Sequence, residues 1–421
     1  MTEVDPKPFL ISIFNAAVAA ADPQRSIKDH LPARPKGRTI IIGAGKGSAQ
    51  MAAAFEKVWD RPIEGLVVTR YGYGAACRRI EIIEAAHPVP DAAGLEASRR
   101  LLEKVQGLTA DDLVVALISG GGSALLPSPA EGLTLADEIA VNEALLASGA
   151  PIAAMNTIRK HLSSIKGGRL AAAAYPAKVV SLVVSDIPGD DPALVASGPT
   201  VPDIGSREDA LASIAAYDMK LPASVMAHIN SPAADAPRPD DPRFIRNEVH
   251  LIASAGVSLE AAAAEARYQG IEAVILSDSI EGEAREVGSV HAAIAREVAT
   301  RNRPFAKPVL ILSGGETTVT LRAKGKGGRN SEFLLAFAIG ISGMAGVHAL
   351  AADTDGIDGS EDNAGAFADG STVSRMHKAG VDAKAMLAGN NAWTAFNAVD
   401  DLFVPGPTGT NVNDLRAILI K

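Results

Sequence analysis

Short apolar runs rich in β-branched residues recur along the chain and alternate with stretches of helix length. Strands that are apolar on both faces and are separated by helices are typical of parallel sheets with helices packed on each side. The sequence therefore predicts an α/β fold built on parallel sheets. The predicted strands are residues 39–42, 66–69, 80–84, 113–118, 179–184, 249–253, 273–276, 309–312, 349–352 and 402–404.

The length of the chain predicts more than one domain. A chain of 421 residues exceeds what a single hydrophobic core usually organises. Residues 231–243 are rich in Pro, Ala and Asp and show no hydrophobic periodicity, as expected of a linker. We therefore expect two domains, residues 1–240 and residues 241–421.

The charge and cysteine content restrict the partners and the compartment. The net charge of −9 offers no basic surface to nucleic acid or an anionic membrane, and no apolar run is long enough to span a bilayer. The single cysteine, Cys77, can form no intrachain disulfide, which is typical of a reducing compartment. We expect a cytoplasmic protein that binds small molecules and neither nucleic acid nor membrane. The sequence is compatible with a homo-oligomer.

Several predicted strands end in Ser, Gly or Asp followed by glycines, at the place where open α/β sheets bind ligands. The first of these segments, residues 38–51, places Gly45 and Lys46 in a turn between a strand and a helix. It is not a P-loop, and it departs from a dinucleotide fingerprint because Ser48 occupies the third glycine position. Lys46 could reach a phosphate or a carboxylate; the alternative is a solvated lysine beside a sterically required glycine turn.

Two more segments of the first half carry candidate anion-binding groups. Residues 117–127 hold three glycines after a strand, which predicts either a close backbone approach to a ligand or a plain turn with a serine N-cap. Residues 155–170 hold four Lys and Arg side chains together with His161, which predict either a positive helix face or an ordinary solvated one. The candidates are Ser119, Gly120, Gly121, Gly122, Ser123, Asn156, Arg159, Lys160, Lys166 and Arg169.

Acidic candidates follow a later strand. Residues 185–203 form a long Pro- and Asp-rich segment, and long loops of this kind often carry function. Asp186 and Asp190 could hold Mg²⁺, which takes one or two carboxylates beside substrate phosphates, but Asp beside Pro and Gly is also ordinary turn chemistry.

In the second half, glycines precede Arg329 and Asn330 at a predicted helix start, a pattern that suits an anion. Asp353 and Asp355 follow another strand, where Mg²⁺ binding, a general base and a simple acidic turn all remain open. The other candidates of this half are Gly314, Gly315 and Glu316.

Taken together, these segments resemble one family. The chain contains, in the order found in the MOFRL-type glycerate 2-kinases, GAGKGSAQMA, HPVPD, ISGGGSALL, MNTIRKHLSSIKGGRLA, SDIPGDDPALVASGPTVPD, LSGGETTVT, GGRNSE and DTDGIDG. The resemblance extends from about residue 9 to about residue 415. It implies a Rossmann-like amino-terminal domain, an α/β carboxyl-terminal domain and an active site in the cleft between them.

The resemblance also implies an activity, the Mg²⁺-dependent transfer of the γ-phosphoryl group of ATP to the 2-hydroxyl of D-glycerate, giving 2-phosphoglycerate. Lys46 and Arg329 match the basic active-site positions of the family. We expect Lys46 to contact the transferring phosphoryl group, and Arg329 or Arg159 to bind the substrate carboxylate. The proton acceptor and the metal ligands are sought among Asp186, Asp190 and Asp353.

Two other functions compete with this one. An NAD(P)H-dependent hydroxypyruvate reductase fits the near-fingerprint at Gly43 and a name long used in the family, but no ribose-binding carboxylate or hydride-transfer site is evident. A non-catalytic sensor of phosphate ligands would need only glycine-ended strands. The number of charged groups gathered from both halves of the chain weighs against such a sensor.

Overall fold

The structure, a computed structural model, describes residues 4–187, 189–202 and 204–421. The chain divides into two compact units, which are described separately. Pro23–Ile252 form the amino-terminal unit. Residues 4–22, with helix α1 (Pro6–Ala20), belong with 253–421 in the carboxyl-terminal unit.

A six-stranded sheet organises the amino-terminal unit. Its strands are β1 (Thr39–Ala44), β2 (Glu64–Arg70), β3 (Ile80–Ala85), β4 (Leu113–Ile118), β5 (Lys178–Val184) and β6 (Glu248–Ala253). They lie in the order β3-β2-β1-β4-β5-β6, and the first five pair in parallel. In this doubly wound arrangement the strand order reverses between β1 and β4, and ligands bind beyond the carboxyl ends of the strands at that point.

Helices cover both faces of this sheet, as predicted from strands that are apolar on both sides. Ile27, Met51 and Phe55 pack on one face, and Leu101 and Leu170 pack on the other. Capping boxes begin two of the helices. The helices are α2 (Pro23–Asp29), α3 (Ser48–Val58), α4 (Ala92–Lys104), α5 (Gly122–Leu125), α6 (Leu135–Ala147), α7 (Ile152–His161), α8 (Arg169–Ala173), α9 (Arg207–Ala216) and α10 (Ala223–Ile229).

The stretch 231–243, expected to be a linker, lies inside the amino-terminal unit. The guanidinium of Arg169 donates to the carbonyl oxygens of Ala234 (3.2 Å) and Asp235 (3.0 Å), and His161 Nδ1 lies 2.9 Å from the Ala234 oxygen. The division between the units falls after residue 252 rather than near 240, because β6 still belongs to the first sheet. A polar, proline-rich composition occurs both in linkers and in loops that are hydrogen-bonded to their own domain, so composition alone does not distinguish the two.

The carboxyl-terminal unit is also built on six strands. They are β7 (Glu272–Ile275), β8 (Val309–Gly315), β9 (Val347–Asp353), β10 (Gly365–Asp369), β11 (Leu402–Phe403) and β12 (Asp414–Ile420), in the order β11-β10-β9-β12-β8-β7. Among the described residues of this unit, β7 and β8 pair in parallel and the other pairs are antiparallel. The expectation of a parallel sheet is wrong here, because two strands that were not predicted, β10 and β12, run antiparallel to their neighbours.

Helices cover this second sheet on both faces as well. Phe333, Phe337 and Phe396 pack on one face, whereas Phe14 of α1 and Leu259 pack on the other. The helices after α1 are α11 (Ala255–Tyr268), α12 (Ala284–Arg301), α13 (Arg329–Gly340), α14 (Thr372–Lys378), α15 (Ala383–Ala388) and α16 (Ala392–Asn397). In the described part of the chain, no helix combines the length and the apolar character needed to cross a bilayer.

Candidate active site

The turn after β1 is closed by its own hydrogen bonds. The N–H of Gly45 donates to the Val68 carbonyl (3.2 Å), that of Lys46 to the Gly120 carbonyl (2.8 Å), and that of Gly47 to Ser119 Oγ (3.0 Å). These three donors are therefore already used within the protein. This arrangement differs from a dinucleotide-binding turn, whose backbone closely approaches a pyrophosphate. The turn therefore fixes the backbone of Lys46 and leaves none of these three N–H groups to bind a ligand.

The glycine loop, residues 119–123, follows the neighbouring strand β4. Its N–H groups at Gly120 and Gly121 meet no acceptor among the described residues. Gly121 adopts a left-handed conformation (φ +79°), and a methyl group there would lie 3.0 Å from Lys46 Cε and 3.1 Å from His87 Nε2. The side chain of Lys46 therefore lies against a loop whose backbone still has hydrogen-bond donors for an anion.

Asp186 lies on the same loop. A side chain on Gly120 would overlap the Asp186 carboxylate, so only glycine permits this approach. The glycine loop thus has the predicted lysine against Gly121 and the predicted aspartate against the neighbouring Gly120. Lys46, the glycine loop and Asp186 are far apart in the sequence. The fold brings them together at the carboxyl ends of β1, β4 and β5.

A chain of polar contacts continues from the end of the loop. Ser123 Oγ lies 2.8 Å from Ser197 Oγ, and the Ser197 hydroxyl donates to Asn156 Oδ1 (2.9 Å). Arg159 also donates to this amide oxygen (3.2 Å), and its Nε donates to Asn142 Oδ1 (3.0 Å). Asn156 and Arg159 therefore act in the structure as supports of the loop region. Ser197, which the sequence reading did not single out, is buried at the centre of this network.

The basic segment does not form the predicted helix face. Helix α7 ends at His161, and Gly167 and Gly168 adopt left-handed conformations before α8 begins. Lys166 is buried, and its Nζ lies 2.5 Å from Glu138 Oε1. Arg169 donates to backbone carbonyls, as described above. Lys166 and Arg169 therefore stabilise the fold, and the expectation that they line a positive surface is wrong.

Two ionisable groups near these residues have shifted pKa values. Burial, helped by the positive charges of Lys46 and Arg70, lowers the pKa of His87 to about 4, so this imidazole is neutral at pH 7. Burial also lowers the pKa of Lys160 to about 8, and the negative charge of Asp191 opposes that shift. Lys160 is buried beside α8, where its carbonyl accepts a hydrogen bond from Arg169 (2.7 Å).

In the carboxyl-terminal unit, Arg329 is the first residue of α13 and is surrounded by carboxylates. Its Nε donates to Asp414 Oδ1 (2.7 Å), and its Nη2 donates to Asp353 Oδ2 (2.6 Å). The third nitrogen, Nη1, lies 3.4 Å from Oε1 of the more exposed Glu316. Two edges of the guanidinium are thus fixed, and Nη1 has the weakest partner.

A buried ion pair supports Arg329. The second oxygen of Asp414 accepts a hydrogen bond from Arg416 Nη2 (2.7 Å), while Asn330 Nδ2 donates to the first (2.7 Å). Arg416 is fully buried and donates through Nη1 to the Gly314 carbonyl (3.2 Å). Neither Asp414 nor Arg416 was singled out from the sequence. An arginine within the apolar run 415–420 is the signal that could have found them, since a buried charge needs a partner.

The remaining candidates of this unit have packing explanations. A side chain on Gly314 would contact Leu259 (3.2 Å), and one on Gly315 (φ +114°) would overlap the backbone of Ile280. Both oxygens of Asp353 are engaged, since Oδ1 accepts the N–H of Asp355 (3.0 Å). Lys46 and the glycine loop belong to one unit, and Arg329 and Asp353 belong to the other.

The metal candidates do not form a cluster. In residues 4–187, 189–202 and 204–421 no three His, Cys, Asp or Glu side chains are grouped in a way that would hold a metal ion. Asp190 lies in the loop after β5 in a left-handed conformation (φ 52°), and Asp353 is paired with Arg329. Of the three, Asp186 is the one placed on the glycine loop.

Comparison with known proteins places the chain in a family. Residues 9–230 match a family model described as a domain of unknown function (DUF4147), and residues 309–414 match the MOFRL family. An Agrobacterium vitis protein provisionally named hydroxypyruvate reductase is 52% identical over 421 residues, covering 99% of this chain and 95% of its own. The D-glycerate 2-kinase of Thermotoga maritima is 40% identical over 417 residues, covering 98% of each chain.

A solved structure agrees with these matches. The crystal structure of glycerate kinase from Thermotoga maritima superposes with a TM-score of 0.90 at 40% sequence identity and covers 99% of both chains. The identity and coverage are high enough for common descent of the whole chain. The chain belongs to the MOFRL-type glycerate 2-kinase family.

Proposed function

We propose that this protein transfers the γ-phosphoryl group of ATP to the 2-hydroxyl of D-glycerate and releases 2-phosphoglycerate. The full-length relatives named as glycerate kinases support the substrate and the reaction class. The observation that carries the proposal is the position of Lys46 against the glycine loop, at the point where the strand order of the sheet reverses.

Phosphoryl transfer depends on positioning and on the neutralisation of charge, with little covalent work for the protein. The N–H groups of Gly120 and Gly121 would bind phosphate oxygens, and Lys46 would neutralise the charge that moves during transfer. Because His87 is neutral at pH 7, it adds hydrogen-bonding capacity without a second positive charge. Lys46 is therefore assigned to the transferring group.

Arg329 is assigned to the carboxylate of D-glycerate. Asp414 and Asp353 fix its Nε and Nη2, so that Nη1 is the nitrogen left to orient an anion. Arg159, the other candidate, is buried and bonded to the side-chain oxygens of Asn142 and Asn156. The contacts therefore favour Arg329 over Arg159 for this role.

The residues present also fit a magnesium ion. Mg²⁺ needs only one or two protein carboxylates beside phosphates and water. The Asp186 carboxylate on the glycine loop meets this need, and we propose Asp190, from the loop after the same strand, as the second ligand. When bound, Mg²⁺ would neutralise phosphate charge next to Lys46. An Asp186 oxygen not engaged by metal is the group that we propose to accept the substrate hydroxyl proton.

One observation supports the alternative function, an NAD(P)H-dependent hydroxypyruvate reductase. It is the 52% identity to the Agrobacterium vitis protein that is provisionally named hydroxypyruvate reductase. One feature of the site weighs against it. The N–H groups of the β1 turn are already used within the protein, whereas a dinucleotide-binding turn closely approaches a pyrophosphate with its backbone.

The test combines both chemistries. The purified protein is incubated with D-glycerate, ATP and Mg²⁺, and 2-phosphoglycerate is resolved from 3-phosphoglycerate; a parallel reaction contains hydroxypyruvate with NADH or NADPH. We expect 2-phosphoglycerate, and a loss of about 100-fold or more in kcat in a Lys46→Met variant, because a charge aimed at the transition state is removed.

Lys57→Met is the matched control, since Lys57 is an exposed lysine in the last turn of α3. It should keep wild-type activity. Oxidation of the reduced nicotinamide without any phosphorylated product would overturn the kinase proposal in favour of the reductase.

A further inference from the structure

Two exposed aromatic rings follow β2, the strand next to β1, and neither packs in a hydrophobic core. They belong to the tyrosine loop, residues 70–74, which follows β2 at the carboxyl edge of the sheet. Tyr71 is 56% exposed and Tyr73 is 43% exposed. Neither ring belongs to the cores of the amino-terminal unit.

Hydrogen bonds nevertheless hold this loop in one conformation. The N–H groups of Gly72 and Gly74 each donate to a Glu84 carboxylate oxygen at 3.0 Å. The Tyr71 N–H donates to the Ala85 carbonyl (3.1 Å), and its hydroxyl donates to Asp91 Oδ2 (2.8 Å). A rigid aromatic surface loses little entropy when a ligand binds, so the bonds prepare a binding surface rather than a core.

Arg70 completes this surface. Its guanidinium carbon lies 3.5 Å from the ring centroid of Tyr73, in a cation–π contact. The guanidinium lies over the ring and restrains its plane, and 43% of Tyr73 remains exposed to solvent. Arginine and tyrosine stacked in this way form a usual platform for a nucleobase.

The platform adjoins the proposed phosphate site. Thr69, the residue before Arg70, donates from its hydroxyl to the Lys46 carbonyl (3.3 Å). His87 Nε2 lies close to Gly121, and the charges of both Lys46 and Arg70 act on this imidazole. In sheets with this strand order, the nucleoside of a bound nucleotide lies over the end of β2.

We infer that the tyrosine loop binds the planar base of the nucleoside triphosphate, with the base stacked on Tyr73 and the phosphates extended towards the glycine loop and Lys46. The inference rests on the proposed kinase function. Of the two proposed substrates only the nucleotide has an aromatic ring, because D-glycerate offers hydroxyl and carboxylate groups alone. Tyr71 borders the same surface and limits the space beside the base.

Equilibrium binding of two ligands separates the base from the phosphates. ATP and inorganic tripolyphosphate are titrated into the full chain with Mg²⁺ and without D-glycerate. In Tyr73→Ala we expect the affinity for ATP to fall about 10-fold, as for loss of one stacked base, and the affinity for tripolyphosphate to stay unchanged. In turnover, KM for ATP should rise while kcat and KM for D-glycerate keep their wild-type values.

Two control variants accompany this experiment. Tyr73→Phe keeps the ring and should bind ATP as the wild type does. Tyr175→Ala removes a ring of 54% exposure that precedes β5, at the opposite edge of the sheet, and should change neither ligand's affinity.

Each result is decisive. An unchanged ratio of ATP to tripolyphosphate affinity in Tyr73→Ala, in a protein that still phosphorylates D-glycerate, overturns the base site and leaves the kinase proposal standing. Absence of phosphorylation by the wild-type protein overturns the kinase proposal and the base site together.

Discussion

At the residue scale, the most constrained side chains are the charges buried behind Arg329. Asp414 accepts hydrogen bonds from Arg329, Asn330 and Arg416, two of which are cations. Burial disfavours the charged form of Arg416, and Asp414 opposes that effect. Such a pair stabilises the fold only as long as both partners are present.

Replacement of Asp414 by Asn should therefore destabilise the carboxyl-terminal unit strongly. The variant leaves the buried Arg416 without its counter-charge, for which we expect a loss of about 3–5 kcal/mol in the free energy of unfolding. Urea unfolding followed by the fluorescence of Trp393, in a Trp59→Phe background, measures this loss. Asp241→Asn, which alters an exposed pair with Arg243, should have a much smaller effect. A small effect of Asp414→Asn would show that the pair contributes little to stability.

At the scale of elements, the site depends on the close approach of two loops. The β1 turn and the glycine loop exchange hydrogen bonds in both directions: the Lys46 N–H donates to the Gly120 carbonyl, and the Ser119 N–H donates to the Ala44 carbonyl (3.1 Å). The glycines permit this contact, because a side chain in the loop would meet Lys46, His87 or Asp186. The loop therefore sets the position of the lysine.

Gly121→Ala tests this dependence. The left-handed conformation costs a non-glycine residue about 1–2 kcal/mol, and the new methyl group would also press on Lys46 and His87. We expect a loss of stability of that size and a fall of about 10-fold or more in kcat/KM, since small displacements of a catalytic group are costly. Thermal unfolding and steady-state kinetics measure the two effects.

Gly107→Ala separates backbone strain from site geometry. Gly107 has a similar conformation (φ +66°), but a methyl group there meets nothing within 4 Å. The stability loss should match that of Gly121→Ala while the activity stays at the wild-type level. Equal losses of activity in the two variants would show that strain alone is responsible.

At the scale of the whole molecule, the order of the units differs from the order of the sequence, because the first helix belongs to the carboxyl-terminal unit. Helix α1 packs with α11 and the second sheet, although it precedes the entire amino-terminal unit in the sequence. Phe14 is buried and meets the ring of Phe403 edge to face, with centroids 4.9 Å apart. The first helix is thus part of the core of the carboxyl-terminal unit.

Phe14→Ala should consequently destabilise the carboxyl-terminal unit. Removal of a buried phenylalanine leaves a cavity and costs about 3–5 kcal/mol. Denaturation is followed by Trp393 in a Trp59→Phe background and by Trp59 in a Trp393→Phe background, and the Trp393 transition should shift. Phe55→Ala, at a ring that stacks on Trp59, should shift the Trp59 transition. A Phe14→Ala shift seen only by Trp59 would contradict the assignment of α1.

All ten strands predicted from apolar runs are present, and the glycine and aspartate residues expected at strand ends stand there. These features depend on local pattern, because a buried strand must be apolar and a tight turn must allow unusual backbone angles. The grouping of Lys46, the glycine loop and Asp186 follows from the same pattern, since parallel strands end at one edge. The roles of the site residues in catalysis remain predictions.

Other features were decided only by tertiary structure. The Gly- and Ala-rich β10 lacks a strong strand pattern, and the apolar run of β12 is interrupted by Arg416. The antiparallel pairing of both strands depends on neighbours distant in the sequence. Tertiary structure also decided which groups pair. Lys166 pairs with Glu138, Asp414 pairs with Arg416, and the N–H groups of the β1 turn donate to acceptors on other strands and loops. The sequence by itself determined which segments are strands and where polar groups follow them. Hydrogen-bond and charge partners came from the fold, because burial makes each polar group find a partner wherever the chain brings one near.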